Sequence, residues 1–167
     1  MMTRDDVLMA ISEGKSVQGY DLSGMDLSRA NLGGADLTGA CLTKCDLSRS
    51  YLRGARLEGA NLESAVIVRA NLTIASMKGV NLRKANLEGS NLSGAASSSG
   101  QSTSRVIGAD LHSADLRGAN LRNTILVRVR FNYADLRGAD FSGANITRVS
   151  LQGALFDEGA FDNSVSV

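Results

Sequence analysis

At 167 residues the chain is long enough for one domain with a buried core. Its 18 basic and 17 acidic side chains give a net charge of +1, which excludes an overall field that would select DNA, a membrane or an acidic substrate. Its two cysteines are too few for a disulfide framework. Because it also shows neither a signal peptide nor an apolar run of roughly 20 residues, we expect a cytoplasmic protein with no membrane contact.

Near the N-terminus, residues 3–13 predict a short α-helix, with Thr3 placed to cap its first turn. One face of this helix is apolar and carries Val7, Leu8 and Ile11. The sequence that follows is a repeat array, whose first unit would otherwise expose an apolar end. We therefore expect residues 1–19 to form an N-terminal capping helix and lead-in.

From Tyr20 to Phe161 the sequence repeats with a period of five, as in Ala60-Asn61-Leu62-Glu63-Ser64. The large apolar residue of each unit, here called its centre, is Leu, Ile, Met or Phe in all 26 units. Two positions earlier the residue is small in 21 units, so both are expected to face inward from an extended backbone. Glycine follows the centre by two positions in 12 units, which favours a corner there. Asn or Asp before most centres can bond to local backbone and stack in ladders.

This A-(D/N)-L-x-x unit resembles the pentapeptide-repeat family over nearly all of residues 20–161. The resemblance implies an all-β solenoid, a right-handed quadrilateral β-helix with four units per coil, which gives about seven coils behind the N-terminal capping helix. A left-handed β-helix of the acyltransferase type is excluded, because its period is six.

The array is interrupted by a serine-rich register break at 95–108. The spacing from Leu92 to Leu111 falls one position short of a full coil, and Ser104-Arg105-Val106 can act as a degenerate unit. We therefore expect a one-position slip within a bulge, with the second block, 109–161, stacked on the first, 20–94. Two separate arrays joined by a linker are the alternative.

The C-terminal tail, 162–167, offers no cap for the last coil. We expect Phe156 and Phe161 to lie inside that coil and Leu155 outside it. An open apolar end favours end-to-end association, so a homodimer through these three residues is expected.

The sequence does not predict catalysis. His112, the only histidine, is expected at the surface with no catalytic partner. Cys45 is at an inward position and Cys41 at an outward one, and they do not provide the four ligands of a zinc site. No pair of carboxylates stands out as an acid and a base in a cleft. We therefore expect a non-enzyme without metal or cofactor.

When outward positions that lie one coil apart are compared, with allowance for the one-position slip, five arginines fall in one corner column. Aliphatic residues accompany them on the same face. The candidate partner face consists of Arg29, Arg49, Arg69, Arg128, Arg148, Val66, Val68, Ile125 and Val127. One interpretation is that arginine stems simply cover β-branched residues on a solvated surface. The other is a recognition face for an acidic or phosphate-bearing partner.

The favoured hypothesis is a non-catalytic repeat scaffold that binds an unknown protein through an outer face of the β-helix. Some members of the family resemble DNA in shape and charge and bind type II topoisomerases, but that activity needs a strongly negative surface. Nucleic-acid binding is disfavoured because the aromatic platforms of single-strand binders are missing. A purely structural, self-associating rod is the third hypothesis.

Overall fold

A computed structural model of the chain describes residues 2–94 and 108–165. The one helix in these two ranges is α1, Arg4–Ser12. Thr3 caps it through a capping box, because the Thr3 hydroxyl accepts from the Asp6 N–H while the Asp6 carboxylate accepts from the Thr3 N–H. The predicted helix is therefore confirmed, with its ends one position inside the expected bounds.

After α1 the chain forms isolated parallel β-bridges instead of long strands. Each bridged residue from Asp21 to Leu155 immediately precedes a centre, and its partner holds the same position one coil away, as in Asp21 with Cys41 and Asp26 with Asp46. Consecutive units form their bridges on successive sides, and four units complete a coil. The coils are therefore four-sided. We number their sides by the first bridged residue of each: side 1 begins at Asp21, side 2 at Asp26, side 3 at Asn31 and side 4 at Asp36.

Each corner is a tight turn closed by the residue that starts the next side. The N–H of Ala40, for example, donates to the Leu37 carbonyl at 3.0 Å, and Gly39 between them has a φ of +65°. This combination is the type II turn, which requires positive φ at its third residue. The predicted corners are confirmed, although 12 described positions with positive φ carry a residue other than glycine.

Neighbouring coils are joined by backbone hydrogen bonds along every side. At Asn61 the N–H donates to the Ala40 carbonyl at 2.9 Å, and the Asn61 carbonyl accepts from Leu42 at 2.7 Å. The Asn61 side chain accepts from the Glu63 N–H at 3.1 Å and from the Asn81 amide at 3.0 Å. The predicted local role of the Asn and Asp side chains is thus confirmed, and a side-chain link between coils occurs at this position.

The core is a column of centres and small residues inside the coils. The leucine centres from Leu22 to Leu136 are buried, and Phe131 and Phe141 fill the C-terminal part of the column. The two phenylalanine rings meet edge to face at 6.2 Å between centroids. The inward positions predicted from the period of five are therefore confirmed along this column.

At the N-terminal end, α1 packs on the first coil. Val7 is completely buried in the core, and Leu8 and Ile11 pack against it. Arg4 donates to two backbone carbonyls of the first coil, Asp26 at 2.7 Å and Ser28 at 3.0 Å. In the later coils the equivalent carbonyls accept N–H donors from the coil before, for which the guanidinium substitutes here.

At the C-terminal end the chain leaves the regular path at Asp157. The Gly138 N–H donates there to the Asp157 carboxylate at 2.6 Å, in place of the backbone carbonyl that a regular coil would offer. Phe156 is 46% exposed, which corrects the expectation that it lies inside, and its ring meets that of Phe161 at 5.2 Å between centroids. Phe161 is partly buried against Phe141, at 4.8 Å between ring centroids, and Leu155 is exposed as expected.

The register break differs from the expected one-position slip. Bridges across it join Ser76 to Asp110 and Asn91 to Ile125, a sequence separation of 34 in place of the usual 20. The Ala109 N–H donates to the Leu92 carbonyl at 2.8 Å, so Ala109 begins the side that follows Leu92. Residues 95–108 are therefore an insertion at one corner. The choice between a bulge and a linker, and the unit Ser104-Arg105-Val106, lie outside the described residues.

Candidate partner-binding face

The insertion divides the predicted arginine column between two corners. Arg29, Arg49 and Arg69 lie at the corner between side 2 and side 3, and beyond the insertion this corner continues with Asn123. Arg128 and Arg148 lie at the corner between side 3 and side 4. The single column is therefore wrong, because the insertion at 95–108 shifts the second block onto different sides from those that a one-position slip would give.

The predicted aliphatic strip is divided in the same way. Val66 and Val68 lie on side 2, whereas Ile125 and Val127 lie on side 3. The similar strings that contain them therefore face in different directions, despite their near-identity in sequence.

The corrected positions place all five arginines around side 3. Three stand along one edge of this side in its first three coils, and two stand along the opposite edge in later coils. Arg53 lies on side 3 itself and donates to Thr73 Oγ1 at 3.4 Å. We call side 3, with the row of positive-φ corner residues along each of its edges, the basic face. Its arginines are Arg29, Arg49, Arg53, Arg69, Arg128 and Arg148.

No Asp or Glu belongs to the basic face in the part of the chain that the structure describes. Its formal charge is therefore +6, and the remainder of the chain carries −5 to give the total of +1. The other outward residues of side 3 are mostly Asn, Ser and Thr, with Tyr51 and Ile125 each more than 40% exposed. The near-neutral composition thus conceals a strongly uneven distribution of charge.

Tyr51 has a fixed place on this face. Its ring lies across Gly33 of the preceding coil, where a Cβ atom would come within 2.8 Å of the ring. Sequence reasoning missed Arg53 as part of the candidate face and did not place Tyr51 on it. The signal that could have found them is their position on a side that carries no acid, but it becomes visible only when the sides are assigned correctly.

Arginines elsewhere in the described ranges behave differently, because they have carboxylate partners. Ion pairs join Arg4 to Asp26, Arg56 to Asp36, Arg117 to Asp115, Arg122 to Asp140, Arg130 to Asp110 and Arg137 to Asp135. Outside the basic face, Arg83 alone among the described arginines forms no such ion pair. The six arginines of the basic face form none within these ranges.

Side 1 shows what a compensated arginine ladder looks like. Arg117 binds Asp115 with two hydrogen bonds, of 2.9 and 2.6 Å, and Arg137 binds Asp135 in the same way. These hydrogen bonds lower the pKa of both carboxyl groups below its ordinary value of 3.8. The positive and negative charges of this ladder cancel, whereas the arginines of the basic face have no carboxylate partner within the described ranges.

Side 4 has an open depression of about 410 Å³ around Asp110. The Asp110 side chain is nine-tenths buried and pairs with Lys78 Nζ at 3.7 Å and with Arg130. His112 lies at the edge of the depression, is exposed, and meets the Tyr133 ring edge to face at 5.3 Å. Because the Asp110 carboxylate is already held by two cations, this cluster is a structural network of ion pairs.

The cysteines occupy the positions predicted for them. Cys45 is completely buried and its S–H donates to the Leu22 carbonyl at 2.8 Å; burial raises its pKa to about 11. Cys41 is half-buried, 3.0 Å from Ser23 Oγ, a contact that lowers the pKa of its thiol. Within residues 2–94 and 108–165, no group of three or more His, Cys, Asp or Glu side chains could hold a metal ion.

The fold defines a class: a four-sided parallel solenoid built on a period of five. The family model for pentapeptide repeats matches residues 18–54, 45–83, 55–94, 107–143 and 124–158, with eight copies of the repeat. The chain belongs to the pentapeptide-repeat family, as its sequence indicated. A comparison with curated proteins finds no match.

Several solved structures are similar to this chain. A trypsin-treated form of QnrB1, a plasmid-mediated fluoroquinolone resistance protein, is 17% identical, with 87% of this chain and 85% of that one covered and a TM-score of 0.47. Rfr23 from the cyanobacterium Cyanothece 51142 is 26% identical, with 96% and 97% covered and a TM-score of 0.36. HetL from Nostoc sp. strain PCC 7120, involved in heterocyst differentiation regulation, is 26% identical, with 93% of each chain covered and a TM-score of 0.26.

Within the described ranges, no helix is both long and apolar enough to cross a membrane. Pentapeptide-repeat proteins are generally non-catalytic scaffolds that form right-handed quadrilateral β-helices.

Proposed function

We propose that this chain is a non-catalytic scaffold that binds another protein through the basic face. The observation that carries the proposal is the contrast in arginine pairing. Almost every described arginine elsewhere has a carboxylate partner in the chain, whereas the six arginines of the basic face have none in the described ranges. Unpaired guanidinium groups on a flat β-surface offer hydrogen bonds and charge to a partner.

The architecture that we propose is the one typical of the family, a right-handed β-helix of about seven coils, with α1 as the cap of its N-terminal end. The burial of Val7 and the two bonds from Arg4 to the first coil support the role of α1. A filled, four-sided rod of this kind presents function on its outer sides, because its interior is occupied by the centres.

The position of the arginines also bears on stability. Arg29, Arg49, Arg69, Arg128 and Arg148 all have φ between 55° and 63°, a left-handed conformation that costs a side-chain-bearing residue about 1 kcal/mol relative to glycine. Glycine occupies 14 positive-φ positions among the described residues. Arginine at these five corners is therefore not the most stable choice.

The alternative of a DNA-like inhibitor of a type II topoisomerase is less well supported. Such a molecule needs extended negative surface, and the basic face interrupts any such surface with a local charge of +6. The likeness to QnrB1 is at 17% identity and does not transfer its activity.

The test is capture of a protein partner by immobilised wild type and by the double variant Arg49→Glu with Arg69→Glu. We expect the variant to lose at least about tenfold of the captured protein, because charge reversal opposes a partner that the arginines attract. The matched control is Lys44→Glu with Lys84→Glu, which changes the net charge equally at positive-φ corners between side 1 and side 2. Equal capture by both variants, with folding intact, would refute the proposal.

A further inference from the structure

We propose that the basic face binds an acidic segment of its partner, one that presents carboxylates in two groups separated by uncharged surface. This inference rests on the proposed function and adds the chemistry of the partner.

The first argument is the kind of cation on the basic face. All six are arginine, whereas the four lysines of the chain, Lys15, Lys44, Lys78 and Lys84, lie elsewhere. The planar guanidinium matches a carboxylate through two parallel hydrogen bonds, which an ammonium group cannot make. Arg117 and Arg137 already use this geometry within the chain. The same arrangement on the basic face requires carboxylates from outside.

The second argument separates a protein from a nucleic acid, since guanidinium also binds phosphate. Tyr51 and Ile125 are exposed on side 3 between its two edges, and Val127 is half-buried beside Ile125. Side chains of this kind pack against apolar residues at the centre of a protein interface. Within the described ranges Tyr51 is the one aromatic side chain on side 3, which is insufficient as a stacking platform for successive bases. The mixture therefore favours a polypeptide.

The third argument is the spacing of the two groups. Arg69 and Arg128, the nearest members of the two groups, lie at opposite edges of side 3 and are two coil intervals apart, whereas Arg29 and Arg148 are five intervals apart. At about 4.8 Å per interval the members of the two groups are roughly 10–24 Å apart along the axis. An α-helix covers those distances in about 6–16 residues. A partner segment with acids grouped near both ends and uncharged residues between them fits this arrangement.

The experiment measures binding of labelled peptides by fluorescence anisotropy at about 50 mM salt, where charge contacts are weakly screened. The first peptide has about 20 residues, with glutamates grouped near both ends and uncharged residues between them, and spans about 30 Å when helical. The second has the same composition with all glutamates at one end. The third probe is a DNA duplex of about 20 base pairs, which presents phosphates at regular spacing.

We expect the first peptide to bind about fivefold or more tightly than the second, because only the first reaches both arginine groups. Binding of the first peptide should weaken about tenfold in the double variant Arg49→Glu with Arg69→Glu. It should weaken to the same extent in the double variant Arg128→Glu with Arg148→Glu. The control Lys44→Glu with Lys84→Glu should change it less than about threefold, since those corners do not border side 3.

The outcomes separate the two proposals. Equal binding of both peptides, or tighter binding of the duplex, would overturn the acidic two-group partner. If neither peptide binds while capture of a protein still depends on Arg49 and Arg69, the partner chemistry is wrong and the scaffold proposal stands. If the arginine variants affect neither peptide binding nor capture, both proposals are refuted.

Discussion

The substitution Gly108→Ala tests the corrected register directly. Gly108 directly precedes Ala109, the first residue of a side, and a Cβ atom at Gly108 would lie 2.8 Å from Arg128 C and Val129 N and 2.9 Å from Arg128 O. These are backbone atoms, and ordinary contacts of a Cβ begin at about 3.4 Å. They are fixed by the bonds from the Arg128 N–H to Thr147 and from the Val129 N–H to Leu126. Something must therefore move by at least half an ångström.

The expected cost has two parts. Overpacking against fixed backbone costs about 1–3 kcal/mol. Displacement of Gly108 also weakens the hydrogen bond from its N–H to the Arg128 carbonyl, now 2.9 Å, which contributes about 1 kcal/mol. We therefore expect the variant to lose about 2–4 kcal/mol of unfolding free energy, a fall of roughly 5–15 °C in Tm for a chain of this length.

Thermal and guanidinium unfolding, followed by circular dichroism, measure this loss. The matched control is Gly39→Ala, a corner with φ +65° whose Cβ would meet open space, so only the left-handed backbone costs about 1 kcal/mol. A one-position slip would make Gly108 an ordinary corner of this kind. If Gly108→Ala is no more destabilising than Gly39→Ala, the reasoning on the register is refuted.

Two further predictions concern acid and self-association. Folding lowers the pKa values of Asp115 and Asp135, so the unfolded chain binds protons at these two carboxylates more readily than the folded chain does. The contribution of the two carboxylates to stability is therefore complete above about pH 4 and is lost as pH falls below 3.8. Asp115→Asn with Asp135→Asn should therefore flatten the decline in urea midpoint between roughly pH 4 and pH 2, and an unchanged slope would contradict this. The exposed side chains of Leu155 and Phe156 should support a homodimer. The double variant Leu155→Asp with Phe156→Asp should be a monomer when its mass is measured by light scattering. A wild type of monomeric mass would refute this prediction.

Several features were predictable because they depend on neighbours in sequence. Alternation of inward and outward side chains is a property of extended backbone, and the turn after each centre closes locally. The burial of Leu62 and the greater exposure of Glu63 follow from these two facts. The same holds for α1, whose capping box spans only Thr3 to Asp6.

The path near the C-terminus was not predictable from the period alone. Phe156 occupies a centre position, yet it is exposed, and at the next residue the Asp157 carboxylate replaces a backbone acceptor for Gly138. When a side-chain carboxylate replaces a backbone carbonyl as the acceptor of one N–H, the spacing of apolar residues in the sequence does not change, so this spacing cannot predict the replacement.

The sequence by itself determined the repeat unit, the corner positions and the five arginines at corners, since each is written within a few neighbouring residues. Only the tertiary structure decided which arginines share a face. That assignment depends on pairing between coils, such as the bridge between Asn91 and Ile125, and an insertion at one corner can change it without altering any single unit. The single predicted column became two groups around an acid-free side, because register between coils is a long-range property of the chain.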